Sequence, residues 1–187
     1  MTDVGRAGRT AVLPSVIHRD VSRVVPVIIR VADDKDWPLI WPFFSAIVGD
    51  GETYAYPEGL TPETGRSLWM ETSPGRTVVA VEDNMVLGSA KMGPNRPGRG
   101  AHVATASFMV DPAHTGRGVG RALGQHAVDW ARDAGFRSMQ FNAVVETNTA
   151  AVALWRSLGF EVIGTVPAAF DHPGHGLVGL HVMYRTL

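Results

Sequence analysis

The sequence predicts one mixed α/β domain, and three observations carry that prediction. Strand-like and helix-like segments follow one another in the order β α α β β β α β α β β. Apolar residues make up 45% of the 187 residues and charged residues 19%, which is typical of a globular chain long enough to bury a core. No internal repeat or shift in composition marks a second domain. We therefore assign residues 25–187 to the domain and residues 1–24 to an N-terminal extension, either flexible or packed on a neighbour.

Charge and cysteine content exclude several functions. The formal net charge is −1, so the chain has no bulk attraction for nucleic acid or an anionic membrane. It contains no cysteine, which excludes disulfides, thiolate zinc sites and cysteine nucleophiles. No apolar run approaches the roughly 20 residues that span a bilayer, and the first residues lack the apolar core of a signal peptide. We expect a cytoplasmic protein with neither nucleic-acid nor membrane partners.

The first part of the chain predicts a strand, two helices and a hairpin. The elements are a strand at 25–32, a helix at 37–48, an exposed loop at 49–60, a helix from Thr61, and strands at 77–82 and 85–92. Asp33 and Asp34 are suitable N-caps, while Pro42 predicts a kink or a second helix start. Asp83-Asn84 predicts the hairpin turn.

The second part predicts strands alternating with two helices that end at glycine. The elements are a strand at 101–110, a helix from 116 or 118 to 134, a strand at 138–145, a helix capped by Thr147 or Asn148, and strands at 160–166 and 176–187 separated by the loop 168–176. Gly135-Phe136 and Gly159-Phe160 supply the two stops. The strand at 101–110 is predicted to be buried on both faces, because its residues are mostly small and apolar.

A glycine-rich turn between a strand and a helix carries the most specific chemical signal. Glycines occupy alternate positions, at Gly116, Gly118 and Gly120. They leave backbone amides uncovered at a helix N-terminus, where unpaired N–H donors and the helix dipole favour an anion. Arg117 and Arg121 add positive charge. A phosphate or pyrophosphate is therefore the expected ligand.

Two nucleotide-binding patterns fail at this turn. The Walker A pattern requires Lys-Ser/Thr after its last glycine, where this chain has Arg121-Ala122. The dinucleotide pattern G-x-G-x-x-G places its last glycine at Arg121 or Leu123, depending on the starting glycine. Both nucleotide classes are therefore disfavoured.

Two motifs in order resemble the GNAT superfamily of acetyl-CoA-dependent N-acetyltransferases. Residues 115–120 read Thr-Gly-Arg-Gly-Val-Gly against the family pattern Gln/Arg-x-x-Gly-x-Gly/Ala. The later family pattern Asn…Ala…Leu-Tyr…Gly-Phe is matched by Asn148, Ala151, Leu154-Trp155 and Gly159-Phe160. The resemblance covers roughly residues 27–187. It implies a mostly antiparallel sheet of about seven strands with about four helices, and strands four and five, 101–110 and 138–145, that splay apart.

The resemblance also implies a set of cofactor-binding residues. The set is Phe108, Met109, Val110, Thr115, Gly116, Arg117, Gly118, Val119, Gly120, Arg121, Asn148, Ala151 and Trp155. In the family, the end of strand four and the Asn bind pantetheine, and the turn amides hold the pyrophosphate. Thr115 departs from the usual Gln or Arg, and Trp155 stands where a Tyr often protonates the thiolate. An indole N–H is too weak an acid for that role.

Acetyl transfer to an amine requires a proton acceptor, and the sequence offers several. Some family members place a Glu on strand four, where this chain has His102, Thr105 and Ser107, and of these His102 alone is a base at neutral pH. The catalytic candidates are Glu58, His102 and Tyr54, and the candidates for lining the acceptor site are Glu52, Tyr56, His172 and His175. No metal is predicted, because His172-x-x-His175 lacks further ligands.

Three functions remain open after these observations. The leading one is transfer of an acetyl group from acetyl-CoA, as co-substrate, to a small-molecule primary amine. The second is a non-catalytic acyl-CoA-binding or regulatory module, which the changes at Thr115 and Trp155 would suit. The third is acetylation of protein lysines or N-termini. A homodimer is compatible with each.

Overall fold

The computed structural model describes Met1 and residues 27–187, and across these residues seven strands form one sheet with two helices on each face. The elements are β1 (Ile28–Val31), α1 (Trp37–Asp50), α2 (Pro62–Trp69), β2 (Arg76–Glu82), β3 (Met85–Pro94), β4 (Val103–Val110), α3 (Val119–Asp133), β5 (Ser138–Val145), α4 (Thr149–Ser157), β6 (Glu161–His172) and β7 (Gly176–Thr186). The extension predicted at residues 1–24 lies outside the described residues except for Met1. No helix in the described part is long and apolar enough to cross a membrane.

The strand order is β1-β2-β3-β4-β5-β7-β6, which confirms the predicted fold class. Every neighbouring pair is antiparallel except β4 and β5. These two strands pair at two positions, Val103 with Ser138 and Ala104 with Met139, and the ladder then stops. The predicted splay of strands four and five is therefore confirmed, and the remaining six residues of β4 face a gap on that side.

The two faces of the sheet bury separate hydrophobic clusters. Helices α3 and α4 cover one face, where Leu123 and Trp155 are buried. Helices α1 and α2 cover the other face with Phe44 and Trp69. Because side chains alternate along a strand, neighbouring residues of β4 belong to different clusters. Met109 packs with the α1–α2 cluster, whereas Phe108 packs with the α3–α4 cluster.

Several local predictions are confirmed in detail. Asp83 and Asn84 both have positive φ, 47° and 64°, as a tight hairpin turn requires. Thr61 caps α2 through a reciprocal capping box in which Thr64 replaces the usual Glu or Gln. The Asn148 carboxamide oxygen caps α4 by accepting from the Ala151 N–H at 3.0 Å.

Helix α1 differs from its prediction. It runs through Pro42 as one helix, so Pro42 does not start a second one, and its N-cap is Asp36 rather than Asp33 or Asp34. A proline inside a helix costs about 3 kcal/mol. Burial of Phe44 and Ile40, both fully inaccessible, contributes about 1.5–3 kcal/mol each, enough to offset that cost.

The strand predictions differ at β4 and at the final hairpin. Strand β4 begins at Val103 rather than residue 101, and six of its eight residues are only half-buried, because the strand borders the gap. The predicted loop 168–176 is mostly strand, since β6 continues to His172. Pro167 lies where the register shifts between Val166 and Phe170 on an edge strand, the position at which a missing N–H costs least.

An ion pair joins β1 to the start of α1. The Arg30 guanidinium donates two hydrogen bonds of 2.7 Å to the Asp36 carboxylate, which also accepts from the Asp33 N–H at 2.8 Å. Asp36 is 2% exposed. The hydrogen bond from Arg30 holds the pKa of Asp36 below its ordinary value. A depressed folded-state pKa stabilises the fold above the ordinary carboxyl pKa, and this stabilisation is lost as the pH falls through the folded value.

We expect Asp36→Asn to lower the free energy of unfolding at pH 7 by about 2–3 kcal/mol, because hydrogen bonds to a charged, buried carboxylate are lost. The deficit relative to the unmodified protein should shrink as the pH falls below about 4, the ordinary carboxyl pKa, because the Asp36 carboxylate then protonates first in the unfolded chain. Urea unfolding at both pH values measures it. Asp34→Asn is the matched control, because the Asp34 pair with Arg66 is exposed and should cost less than about 1 kcal/mol. Equal losses of unfolding free energy in the two variants would show that the buried Asp36 pair contributes no more than the exposed Asp34 pair.

Candidate active site

The gap between β4 and β5 opens into a cleft of about 620 Å³, hereafter the β4–β5 cleft. Five parts of the chain line it: the end of α1 with the loop after it, strand β4, the turn after β4, strand β5, and the α4 helix with its cap. The residues that line the cleft include Glu52, Tyr54, Tyr56, Ser107, Phe108, Val110, Thr115, Phe141, Asn142, Asn148, Ala151 and Trp155. The predicted pantetheine and acceptor residues are thus largely neighbours.

Three aromatic rings form the wall of the cleft beside α4. The ring centroid of Trp155 lies 4.6 Å from that of Phe108 and 5.0 Å from that of Phe141. Gly124 in α3 allows Trp155 to reach this position, because a Cβ on Gly124 would lie 2.8 Å from the indole ring and 2.7 Å from Leu158. Trp155 is 6% exposed and therefore packs as a wall of the cleft.

The glycine turn presents unpaired amides next to the cleft. Gly116 and Gly118 have φ of 76° and 80°, a conformation that favours glycine, and a Cβ at either would meet no atom within 4 Å. Gly118 is the N-cap of α3, and the first bond along the helix runs from the Ala122 N–H to the Gly118 carbonyl at 3.0 Å. The N–H groups of residues 119–121 therefore lack intrahelical partners. The cleft reaches this turn at Thr115.

The two arginines of the turn have different partners. Arg117 forms an ion pair with Glu82, which neutralises much of its charge. Arg121 donates to the Ser157 hydroxyl at 2.8 Å, and within residues 27–187 it pairs with no carboxylate. The positive character of the turn comes from Arg121 and the α3 dipole. Gly120 has a packing role instead, since its Cβ would lie 3.4 Å from Leu154.

The free edge of β4 already has a partner. The Asp111 N–H donates to the Leu87 carbonyl on β3. In an antiparallel pair every second residue bonds to the same neighbouring strand, so the N–H and C=O of Phe108 point away from β3 and into the gap between β4 and β5. The Tyr54 hydroxyl bonds to both groups. It donates to the Phe108 carbonyl at 2.6 Å and accepts from the Phe108 N–H at 3.1 Å. Burial raises the pKa of Tyr54 well above its usual range, so the hydroxyl keeps its proton at neutral pH.

The Tyr54 contact bears on the cofactor prediction. The resemblance implies that the backbone of Phe108 pairs with pantetheine, but in this structure the Tyr54 hydroxyl occupies both polar groups. Tyr54 is held from behind by a parallel stack on Tyr56 at 5.3 Å and an edge contact with Trp69 at 6.1 Å. A ligand that pairs with Phe108 must displace this hydroxyl.

The structure brings some of the predicted catalytic and acceptor residues to the cleft and leaves others away from it. Glu52, Tyr54 and Tyr56 line the cleft. The residues outside its lining are Glu58, His102, His172 and His175. Glu58 and His102 are exposed, and His102 lies in the turn before β4 with Nδ1 3.1 Å from the Arg99 carbonyl.

The two histidines of the final hairpin contact each other instead. Their ring centroids are 4.7 Å apart, and His172 Nδ1 accepts from the Gly174 N–H at 3.0 Å. Pro173 between them lies near Gly51, so this turn packs against the start of the loop after α1. Among the described residues, no three His, Asp or Glu side chains are grouped as a metal ion would require.

A second cavity of about 440 Å³, hereafter the polar cavity, was not anticipated from the sequence. Its polar lining comes from the α2–β2 connection, β3, β4 and β5, and comprises Glu71, Thr72, Ser73, Lys91, Thr105, Ser107 and Asn142. It shares residues 105–107 and Asn142 with the β4–β5 cleft, so the two spaces meet at the middle of β4. Lys91 was the available signal, as one charged residue within the otherwise uncharged strand 85–92.

Comparison with known proteins matches this architecture. A model described as the acetyltransferase (GNAT) family matches residues 38–160. The structure of a GCN5-related N-acetyltransferase from Kribbella flavida is 66% identical, with a TM-score of 0.84 over 86% of this chain and 98% of that one. The structure of yncA from Salmonella typhimurium with its cofactor acetyl-CoA is 27% identical, with a TM-score of 0.74 over 87% of this chain and 94% of that one.

Two curated relatives add names and lengths. The N-acetyltransferase aca1 of Schizosaccharomyces pombe is 34% identical over 108 residues, 56% of this chain and 52% of that protein. The chain thus spans about half the length of aca1. An L-methionine sulfoximine/L-methionine sulfone acetyltransferase of Salmonella typhimurium is 33% identical over 144 residues, 74% of this chain and 82% of that protein.

We expect Tyr54→Phe to lower the free energy of unfolding by about 1–3 kcal/mol, because it leaves the Phe108 N–H and C=O without their partner. Urea unfolding without ligand measures the loss. Tyr56→Phe is the matched control, since it removes a hydroxyl from the neighbouring stacked ring without touching Phe108. If both variants lose the same free energy of unfolding, the two hydrogen bonds to Phe108 contribute no more to stability than the Tyr56 hydroxyl does.

Proposed function

Because the chain belongs to the acetyltransferase (GNAT) family, we propose that it transfers the acetyl group of acetyl-CoA to the primary amine of a small molecule. The observation that carries the proposal is the β4–β5 cleft. It joins a strand edge that β5 leaves unpaired, which suits a chain of amides, to a turn of unpaired N–H groups, which suits a pyrophosphate. CoA carries amides and a pyrophosphate one after the other along a single molecule.

The chain's own residues divide the work of holding acetyl-CoA. The N–H groups of Val119, Gly120 and Arg121 would bind the pyrophosphate, and the open space at Gly116 and Gly118 admits it. The edge of β4 at Phe108 and Val110 would pair with pantetheine. Asn148 would add a donor, because its carboxamide oxygen caps α4 and leaves the NH₂ group available. Acetyl-CoA supplies the thioester, whose carbonyl carbon is the site of attack.

A small acceptor suits the geometry better than a protein segment. The stacked rings of Tyr54 and Tyr56, tilted by 8° to one another, close one side of the cleft. The Salmonella typhimurium relative is named for acetylating L-methionine sulfoximine and L-methionine sulfone, both small amines. We propose the same size class of acceptor for this chain.

Calorimetry with acetyl-CoA, followed by thiol release across amino acids, polyamines, aminoglycosides and amino-terminal peptides, tests the function. We expect saturable acetyl-CoA binding and thiol release that depends on a small amine. Binding without thiol release across the whole panel would indicate a non-catalytic module, and turnover confined to peptides would indicate a protein acetyltransferase. Absence of binding at millimolar acetyl-CoA would overturn the proposal.

We expect Gly118→Glu to weaken acetyl-CoA binding by roughly 100-fold or more, because a carboxylate in the turn repels the pyrophosphate. Gly135→Glu is the matched control at the other end of α3. Both glycines have φ of 80° and open space around a Cβ, so the two substitutions carry similar backbone strain and charge. Calorimetry on both variants measures the effect. Equal affinities would show that the turn does not bind the phosphates.

A further inference from the structure

We propose that the polar cavity receives the acceptor and that Glu71 takes the proton released by the acceptor amine. The inference deepens the proposed function and rests on it.

The position of the polar cavity relative to β4 supports its role as the acceptor site. Met109 packs on the α1–α2 face, so alternation places Thr105 and Ser107 on the same face. These two residues and Asn142 line both the polar cavity and the β4–β5 cleft. A molecule in the polar cavity therefore lies next to whatever occupies the middle of the cleft, while the pantetheine route along Val110 and Asn148 stays free.

A lysine holds Glu71 at the wall of the polar cavity. Lys91 lies opposite Ser107 in the β3–β4 ladder. Its ammonium donates to the Leu68 carbonyl at 2.8 Å and to the Glu71 carboxylate at 3.3 Å. The carbonyl contact fixes the ammonium in place, and the ammonium in turn orients the carboxylate. Lys91 is therefore a positioning residue, and Glu71 keeps a second oxygen for other partners.

Apart from carboxylates, the side chains near the meeting point of the two spaces are poor bases. Among the described residues, the carboxylates that line the β4–β5 cleft are Asp50 and Glu52, from the end of α1 and the loop after it. The carboxylate that lines the polar cavity is Glu71. Burial raises the pKa of Tyr56, and the nearby ammonium of Lys91 opposes that rise. Tyr56 thus stays protonated at neutral pH. Thr105 and Ser107 carry hydroxyls that do not titrate near neutral pH.

The proposed step balances as follows. The nitrogen lone pair of the neutral amine attacks the thioester carbonyl carbon, the C–N bond forms and the C–S bond breaks. One N–H proton passes to the Glu71 carboxylate, and the thiolate leaves with the electron pair of the C–S bond. The thiolate takes a proton from solvent, and Glu71 returns its proton to solvent. The products are the N-acetyl amide and free CoA thiol.

The lining selects a small polar primary amine. Hydroxyls of Thr72, Ser73, Thr105 and Ser107 and the carboxamide of Asn142 surround the cavity. The Asn142 carboxamide already bonds to Gln140 and Asn95, so the hydroxyls are the groups that need a partner. An alkylamine would leave these hydroxyls unpaired after water is displaced, which lowers the rate for the apolar analogue. Polar amino acids and aminosugars should therefore exceed alkylamines of equal size in kcat/KM.

Steady-state kinetics on the full chain tests Glu71. We expect Glu71→Gln to lower kcat about 10²-fold or more, with the KM and calorimetric Kd for acetyl-CoA unchanged. Glu71→Asp should restore part of the rate, because it keeps a carboxylate. Glu63→Gln is the matched control, since Glu63 lies on α2 away from both cavities and should keep full activity. Full kcat in Glu71→Gln would overturn the role of Glu71.

A second variant tests the acceptor site without relying on Glu71. Thr72→Trp, at the exposed rim of the polar cavity, should raise the KM for the amine at least 10-fold and leave the Kd for acetyl-CoA unchanged. An unchanged amine KM would overturn the site assignment. Failure of the proposed function is distinguishable, because it would appear as inactivity of the unmodified chain toward every amine.

Discussion

The early end of the β4–β5 ladder is the constraint on which the rest of the structure depends. Two pairs join the strands, and the rest of β4 is left with polar backbone groups that must find other partners. An interior strand of a sheet rarely carries such an edge. The sheet remains continuous because β5 pairs along most of its length with β7. The opening is therefore a local feature in a continuous sheet, and it is the source of the cleft.

The surrounding elements are arranged to complete this open edge. The Tyr54 hydroxyl satisfies Phe108, and the aromatic cluster behind it places the hydroxyl there. On the opposite face, Gly124 lets α4 approach α3 so that the Trp155 indole closes the wall. The loop after α1 thus provides the partner of Phe108 in the unliganded protein, and the pantetheine proposed to pair with Phe108 would compete with it for the same backbone groups. On that proposal, stability and binding are linked at Phe108.

The two faces of the sheet divide the proposed chemistry. The α3–α4 face provides the phosphate turn and the aromatic wall, which are suited to the cofactor. The α1–α2 face provides Lys91 and Glu71, which are suited to the acceptor amine. Side chains alternate along β4, so Phe108 lies on the α3–α4 face, proposed for the cofactor, and Ser107 lies on the α1–α2 face, proposed for the acceptor amine. Neighbouring residues on one strand can therefore contact both substrates.

The sequence by itself determined most of the elements, the fold class and the glycine turn, because periodicity, caps and turn residues act over short distances. The strand 138–145, the cap at Asn148 and the hairpin at Asp83-Asn84 were readable for that reason. Only the tertiary structure decided which side chains meet at the cleft. It excluded His102 and Glu58 from the lining, and it brought Glu71 next to Lys91 across 20 residues of sequence. Such contacts depend on strand register and helix docking, which no local pattern encodes.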